Sequence, residues 1–401
     1  MKIKGIKVAD SKNISERYRF SAGYITNYDD FRKNILNKTI IPYQVEFQPP
    51  PKSTRKICWL ECPYCYGASA DDNAGDRMHR DIAIKTLNEI ADGGVRKVIF
   101  AGYATDPLNS PYLEDLLEIA INRRMVFGFN TKAIKVSSRL LDLLARKDIQ
   151  PNSYMSLSVD AGSNEIYNNF HAVKSKAKIY DRVLRNTKKI VESSLEGGSL
   201  FDVSAAYLVN SQNWMVSEVS SFIKDFKGAG CNLLRFTFPQ PPRETPLAEG
   251  IIPTSSDVAF ALKELTPIID SSSKGNCKVM IVDADSEHDI FFKPRTKPCF
   301  ARWIYPTVGY DGWLYHCSQS GSPNFRPMAL GNLNNLGFWE LFYDYDTDNF
   351  DKYMTSCGQK MDETGCRCDR KMHLTNQSVI DSNIFIKDLT NSKNLISLKN
   401  I

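Results

Sequence analysis

The sequence predicts an α/β protein with a partial (β/α)6 barrel, followed by a small cysteine-rich α+β domain. Strand-like and helix-like segments alternate six times between residues 41 and 272. The composition is that of a globular chain, with 42% hydrophobic and 24% charged residues. Five of the ten cysteines lie between residues 299 and 368. Alternating strands and helices indicate a parallel sheet, and six units are too few to close a standard eight-stranded barrel.

The predicted strands are short apolar runs that are rich in β-branched and aromatic residues. We expect them at residues 42–47, 97–100, 126–130, 154–159, 203–209 and 233–238. The helices between them have apolar residues at helical spacing, and we expect them at residues 81–91, 111–121, 138–146, 180–193, 215–227 and 257–269.

The amino-acid composition changes after Ser271, and the run SSSKGN at residues 271–276 is typical of a linker. We therefore expect an N-terminal extension at 1–40, the barrel at 41–272, a second domain at 273–373 and a tail at 374–401. Within the second domain, short strands are expected at 278–282 and 313–316, and a helix is expected at 338–342.

Charge and hydropathy argue against several classes of protein. The net charge of +5, from 51 basic and 46 acidic residues, is too weak to predict binding to nucleic acid. The N-terminus has no apolar signal segment, and no window reaches the roughly 18 apolar residues that span a bilayer. We expect a cytoplasmic protein with no membrane partner, in which the ten thiols stay reduced and can bind metal.

Three of the cysteines, Cys58, Cys62 and Cys65, stand in a C-x3-C-x2-C run after the first predicted strand. Structural zinc prefers four ligands, and this run has no local fourth Cys or His. Three soft thiolates suit a [4Fe–4S] cluster that leaves one iron open to a small molecule. In α/β barrels, sites form in the loops that follow the strands, which is where this run lies.

This run, with the aromatic Tyr64 before its third cysteine, resembles the signature of the radical S-adenosylmethionine (radical SAM) superfamily. The resemblance implies a [4Fe–4S] cluster whose open iron is chelated by S-adenosylmethionine. It also implies an electron donor such as flavodoxin or ferredoxin. One electron would cleave the S–C bond, and the resulting 5′-deoxyadenosyl radical would abstract a hydrogen atom from the substrate.

The resemblance also suggests residues that contact S-adenosylmethionine. Gly102 and the pair Asp106 and Pro107 partly match the Gly-Gly-Glu-Pro segment of the family, and Thr131 and Ser158 end two predicted strands. Hydroxyl groups there would hydrogen-bond the nucleoside. The competing interpretation is an ordinary βα loop with hydroxyls that are satisfied by the backbone.

The C-terminal cysteines form a second cluster. Gly312 stands five residues before Cys317, and this G-x4-C pattern resembles the SPASM/Twitch extension of radical SAM enzymes, which holds auxiliary clusters. Two auxiliary clusters would need eight thiolates, so five favour a single [4Fe–4S] site. We predict that its ligands are Cys299, Cys317, Cys366 and Cys368. Cys357 is then a substitute for one of the last pair or a bystander, and a four-thiolate zinc site is the alternative.

Two cysteines, Cys231 and Cys277, belong to neither group. They are either small buried apolar residues or hydrogen-atom donors to a substrate radical, as in radical SAM epimerases. Glu46, Asp160 and Arg235 are charged residues near predicted strand ends that could position a substrate.

The function that we predict first is hydrogen abstraction from a small polar substrate in natural-product biosynthesis. This substrate would be a sugar, aminocyclitol or nucleoside, and the outcome dehydrogenation, epimerisation or a related reaction of oxidoreductase type. The short segment of about 40 residues before the barrel favours it, because many peptide maturases carry a leader-binding domain there. The alternative is a peptide or protein maturase that epimerises or crosslinks its substrate, and a zinc-binding protein without radical chemistry is a third possibility.

Overall fold

The computed structural model describes residues 25–51, 60, 62, 65, 77–103, 105–173, 177–239, 251, 253–273, 276–281, 297–382 and 384. Within these residues the chain forms one ten-stranded sheet with helices packed against it. The strand order is β10-β9-β8-β1-β2-β3-β4-β5-β6-β7. The α/β class that the sequence predicts is therefore confirmed.

Seven strands, β1 to β7, follow one another in sheet order and pair in parallel. Their bounds are Val45–Phe47, Lys97–Phe100, Val126–Thr131, Tyr154–Ser158, Asp202–Leu208, Leu233–Thr237 and Lys278–Ile281. The six predicted strands are present within two or three residues at each end. β7 continues this parallel sheet, with Lys278 opposite Leu233, so the sheet crosses the domain boundary predicted at 272/273.

Helices alternate with the parallel strands along the chain, because parallel strands need a crossover connection between them. The bounds of α2 to α4 and α6 to α8 are Arg80–Asp92, Leu113–Asn122, Ser138–Leu144, Ile179–Gly197, Val216–Gly228 and Ser255–Ser272. The second of these begins after the predicted position, because residues 111 and 112 form a turn before it. Helix α6 is capped at its C-terminus by Gly198, whose left-handed φ of 68° favours glycine.

Five further helices complete the described chain. They are α1 (Tyr28–Leu36), α5 (Asn164–Phe170), α9 (Phe338–Phe342), α10 (Phe350–Glu363) and α11 (Arg370–Asp381). Only α9 is predicted as a helix from the sequence; α11 crosses the predicted boundary between second domain and tail. Helix α5 is short but well capped, since the hydroxyl of Ser163 accepts a hydrogen bond from the N–H of Ile166.

The C-terminal segment joins the sheet at the free side of β1. Strand β8 (Thr307–Val308) is parallel to β1, with Thr307 opposite Glu46. The strands β9 (Trp313–Tyr315) and β10 (Gly331–Asn332) then continue antiparallel. Directly after β1, the side chain of Gln48 donates to the carbonyl of Gly321 at 3.0 Å. The barrel and the C-terminal segment are thus one hydrogen-bonded ladder.

Helix α9 fastens the C-terminal segment to the first barrel helix, α2. The indole N–H of Trp339 donates to the carbonyl of Glu89 at 2.7 Å, and the Glu89 carboxylate accepts from the N–H of Phe338 at 2.8 Å. A methyl group at Gly93 would lie 2.1 Å from the Trp339 ring. The two helices therefore approach closely because residue 93 has no side chain.

Within the part of the chain that the structure describes, no helix is both long and apolar enough to cross a lipid bilayer.

Candidate functional site

Two of the three N-terminal cysteines, Cys62 and Cys65, are among the few described residues between β1 and α2. The N–H of Cys65 donates to the carbonyl of Cys62 at 3.1 Å, which places both thiols in one tight turn. Cys62 is buried and Cys65 is half-buried. Earlier in the same loop, the carbonyl of Pro50 accepts a hydrogen bond from Ser110 at 2.7 Å. The turn thus lies at the carboxyl edge of the sheet, as predicted; Cys58 and Tyr64 lie outside the described residues.

Asp106 connects the loop after β2 to the end of β3. Its carboxylate accepts hydrogen bonds from Thr131 Oγ1 and from the N–H of Lys132, both at 2.6 Å, and from the N–H of Leu108 at 2.9 Å. Burial raises the pKa of this carboxyl, and the bonds from Lys132 and Thr131 offset part of that rise. The structure thus brings Asp106 and Thr131 together, but their side chains hydrogen-bond to each other.

Gly102 and Ser158, the other two predicted contacts of S-adenosylmethionine, also lie at this edge. A methyl group at Gly102 would lie 1.7 Å from the carbonyl oxygen of Thr105, so the loop after β2 folds back closely on this glycine. Ser158 is the last residue of β4 and is half-buried, opposite Ala206. Their roles toward the cofactor stay predictions.

A buried histidine that the sequence does not single out lies beside the cysteine turn. Nδ1 of His171 is 3.3 Å from Sγ of Cys62, and its Nε2 is 3.1 Å from the carbonyl oxygen of Val159. His171 is fully buried and ends α5. Because α5 has no strong apolar periodicity, the only sequence signal for this residue is its place after β4.

The ammonium of Lys132 completes this group. Its Nζ lies 3.2 Å from a carboxylate oxygen of Asp160 and 3.3 Å from Nδ1 of His171. The Asp160 side chain is fully buried, whereas that of Lys132 is 14% exposed. Burial and the Lys132 charge lower the pKa of His171 well below its ordinary value, so the ring is neutral.

Asp160 also fixes the ends of two strands. Its carboxylate accepts from the N–H of Leu208 at 2.8 Å, and its carbonyl accepts from Asn213 at 2.9 Å. Its φ of 60° lies in the left-handed region, which Asp tolerates better than most residues. The other two charged candidates, Glu46 and Arg235, are central residues of β1 and β6 and do not lie at strand ends.

Cys231 and Cys277 lie at the opposite edge of the sheet. They precede β6 and β7, whereas Cys62 and Cys65 follow the carboxyl end of β1. Both are buried, and burial raises the pKa of Cys277 to about 11. The structure does not bring either thiol to the site, and both fit the interpretation as small buried apolar residues.

The C-terminal thiols come from three separate turns. Gly312, with φ of 81°, closes the β8–β9 hairpin and places Cys317 just after β9. Gly365, with φ of 64°, ends α10 and directs the chain to Cys366 and Cys368. Asn376 on α11 donates toward the sulfurs of Cys299 and Cys368. The predicted four-thiol set is therefore gathered in one region.

The electrostatics of Cys317 agree with that grouping. Burial raises the pKa of this thiol well above its ordinary value, and the neighbouring Cys366, Cys299 and Cys368 raise it further. Cys357 lies on α10 one turn after Tyr353. Burial is the main cause that raises the pKa of the Tyr353 phenol, and the neighbouring Cys357 adds to that rise. Cys357 and Cys299 also line a small pocket.

Thiols of this kind can bind either a zinc ion or an iron–sulfur cluster. Among the described residues, no group of three or more His, Cys, Asp or Glu side chains is spaced to hold one metal ion. Thiolates around one zinc lie close together because each Zn–S bond is only about 2.3 Å. In a cubane, each thiolate binds a different iron and the sulfurs lie farther apart. None of the nine described cysteines forms a disulfide.

Comparison with known proteins identifies the class. Residues 53–205 match the radical SAM superfamily, a stretch that includes the first cysteine run and strands β2 to β4. Residues 53–205 are therefore recognised as a radical SAM domain, and the cofactors of that superfamily are a [4Fe–4S] cluster and S-adenosylmethionine. The soft thiols of Cys62 and Cys65 at the carboxyl edge, beside the Lys132 cation, fit that pair of cofactors.

Individual relatives extend the likeness beyond this domain. PqqA peptide cyclase from Granulibacter bethesdensis is 20% identical over 328 residues, which cover 78% of this chain and 80% of that protein. Streptococcus suis SuiB superposes with a TM-score of 0.56 at 14% identity, over 79% of this chain and 70% of SuiB. A second SuiB structure has its precursor peptide SuiA bound.

The structure of anSMEcpe with bound AdoMet covers still more of the chain. It superposes over 89% of this chain and 97% of its own, with a TM-score of 0.54 at 14% identity. These superpositions confirm the α/β partial-barrel fold.

Proposed function

We propose that this chain is a radical SAM enzyme that modifies a peptide or protein substrate and holds one auxiliary [4Fe–4S] cluster in its C-terminal segment. The observation that carries the proposal is the alignment with PqqA peptide cyclase over 78% of the chain. A likeness to SuiB, which binds the precursor peptide SuiA, points the same way. The peptide alternative is therefore favoured over the small polar substrate that the sequence ranks first.

When bound, the cluster and S-adenosylmethionine supply hydrogen-atom abstraction driven by one electron from an external donor. The described residues provide the setting for that chemistry. Asp106 ties the loop after β2 to Lys132 and Thr131 and so fixes the edge of the cofactor site. Lys132, whose ammonium is paired with the buried Asp160 carboxylate, ties this edge to the end of β4.

The C-terminal thiols support the auxiliary cluster. Cys299, Cys317, Cys366 and Cys368 are its proposed ligands, because Cys317 interacts electrostatically with the other three. We expect Cys317→Ala to lose the iron of this site, whereas Cys357→Ala keeps it. Equal iron loss in the two variants would contradict this choice of ligands.

The substrate class is tested with the full chain after anaerobic reconstitution with iron and sulfide. Short peptides encoded beside the gene are incubated with enzyme, S-adenosylmethionine and a low-potential reductant. We expect 5′-deoxyadenosine formation together with a peptide that has lost two hydrogen atoms or gained deuterium from heavy water. Turnover of sugars or nucleosides, with every peptide unchanged, would refute the peptide proposal while leaving the radical SAM class intact.

A further inference from the structure

Asn376, in the last described helix, lies between two of the proposed auxiliary ligands. Its side-chain nitrogen Nδ2 is 3.7 Å from Sγ of Cys299 and 3.9 Å from Sγ of Cys368. These distances are within the range of N–H···S hydrogen bonds. The side chain is fully buried, so water does not compete for its donors.

The orientation of the Asn376 amide follows from a third contact. Its Oδ1 accepts a hydrogen bond from the backbone N–H of Phe300 at 2.7 Å. Because a backbone N–H can only donate, the end of the amide that faces it must be the oxygen. The NH₂ group therefore faces the sulfurs, and its two hydrogens allow one bond to each.

The position of Asn376 is set by neighbours on three chain segments. Asp369 caps α11 by accepting from the N–H of Met372 at 2.7 Å. The same carboxylate accepts from Gln319 at 3.0 Å, in the turn that follows Cys317. The start of α11 is thus tied to the Cys317 turn, and Asn376 ties it to the Cys299 turn. A side chain held in this way keeps its donors aimed without paying further ordering entropy.

We propose that Asn376 is a positioning residue that donates N–H···S hydrogen bonds to the Cys299 and Cys368 thiolates and raises the reduction potential of the auxiliary cluster. The inference rests on the proposed function, because it requires a cluster on those thiolates. Reduction adds negative charge that spreads onto the ligand sulfurs. Donors aimed at those sulfurs stabilise the reduced state more than the oxidised state, so the potential rises.

The test separates the auxiliary cluster from the catalytic one. In a background with Cys58→Ala, Cys62→Ala and Cys65→Ala, only the auxiliary site can bind a cluster, at about four iron atoms per chain. Asn376→Leu keeps the approximate volume and removes the donors, and Asn335→Leu, at an exposed turn position, is the matched control. The readouts are iron content and the midpoint potential from EPR-monitored titration.

We expect Asn376→Leu to keep its iron and to shift the midpoint potential to a more negative value, with Asn335→Leu unchanged. An unchanged potential in Asn376→Leu would overturn the inference. If Asn376→Leu loses iron, Asn376→Gln becomes decisive, because it restores an amide donor. Iron regained with Gln supports donation to the thiolates, and iron still lost points to packing alone and overturns it. A background protein without any iron would instead refute the auxiliary cluster of the proposed function.

Discussion

The imidazole of His171 contacts the thiol of Cys62, with 3.3 Å between Nδ1 and Sγ. Since Nε2 faces the carbonyl oxygen of Val159, it carries the hydrogen of the neutral ring, and Nδ1 presents a lone pair. The ammonium of Lys132 lies 3.3 Å from Nδ1 and 3.4 Å from Nε2 of the same ring. A proposed cluster ligand is therefore held next to a buried histidine, lysine and aspartate group.

The pair of Lys132 and Asp160 in that group is expected to matter for stability. Lys132→Met leaves the buried Asp160 carboxylate without its ammonium and should lower the free energy of unfolding by about 3 kcal/mol. The double variant Lys132→Met with Asp160→Asn removes the charge as well and should recover at least half of the loss. Chemical denaturation measures both.

The control for this buried ion pair is an ion pair at the protein surface. Asp148, which bonds Arg146 but is 56% exposed, should tolerate Asp148→Asn with a change of less than about 1 kcal/mol. A Lys132→Met variant as stable as the parent would show that the buried pair is compensated elsewhere.

Iron stoichiometry should report the two clusters separately. With both sites filled, the chain should bind about eight iron atoms, and Cys62→Ala together with Cys65→Ala should reduce this to about four. The same variant should produce no 5′-deoxyadenosine, because the catalytic cluster needs those thiolates. Retention of all the iron would contradict the assignment of the first cysteine run.

Neither Cys231 nor Cys277 is expected to act as a hydrogen-atom donor. Both precede their strands, at the edge of the sheet opposite the site. Cys231→Ala and Cys277→Ala should therefore keep the product and the rate of the parent enzyme, measured by mass spectrometry in heavy water. Loss of deuterium incorporation in one variant, with S-adenosylmethionine cleavage intact, would restore that thiol as a donor.

Cys277 should leave a signature in the pH dependence of stability. Burial raises the pKa of its thiol from 9.0 to about 11 in the folded chain. The unfolded thiol ionises first, so the thiol favours folding below pH 9 and this contribution is lost between about pH 9 and 11. Melting temperatures of parent and Cys277→Ala should converge as the pH rises through that window. Parallel curves would show that the thiol does not titrate differently in the two states.

The contact between α2 and α9 predicts a steric effect at one glycine. Gly93→Ala would place a methyl group 2.1 Å from the Trp339 ring and should cost about 1–3 kcal/mol of unfolding free energy. Gly228→Ala is the matched control, because nothing lies within 4 Å of its added carbon. That control should be neutral or stabilising by up to about 1 kcal/mol. Equal destabilisation in both would indicate a backbone effect.

Much of the barrel follows from the sequence because its signals are local. Strands such as β2 and β3 are continuous apolar runs, which is how strands covered on both faces read. The apolar pattern of helix α10 is weaker than that of these strands. The burial of its Phe350, Met354 and Met361 depends on partners far along the chain. Tertiary packing of this kind cannot be read from a short window.

The residues of the site likewise fall into two sets, those that the sequence reveals and those that only the folded structure reveals. The cysteines of both groups are visible by spacing, whereas His171 and Asn376 become evident only when distant segments meet. Cys62 and His171 are 109 residues apart, and Asn376 and Cys299 are 77 apart. Asp106 shows the opposite case: its position is predicted, but its carboxylate is occupied by neighbouring backbone and hydroxyl groups.

The pairing of β1 with β8 has a consequence for biosynthesis. The Gln48 side chain and its partner Gly321 are 273 residues apart, so the ribosome makes most of the chain before the two meet. Until then, one side of β1 is an open edge that could pair with other chains. Since pairings of such long range form slowly, the pairing of β1 with β8 is expected to form late in folding. Chaperone capture of nascent chains arrested before residue 307, lost once β8 has emerged, would reveal that delay.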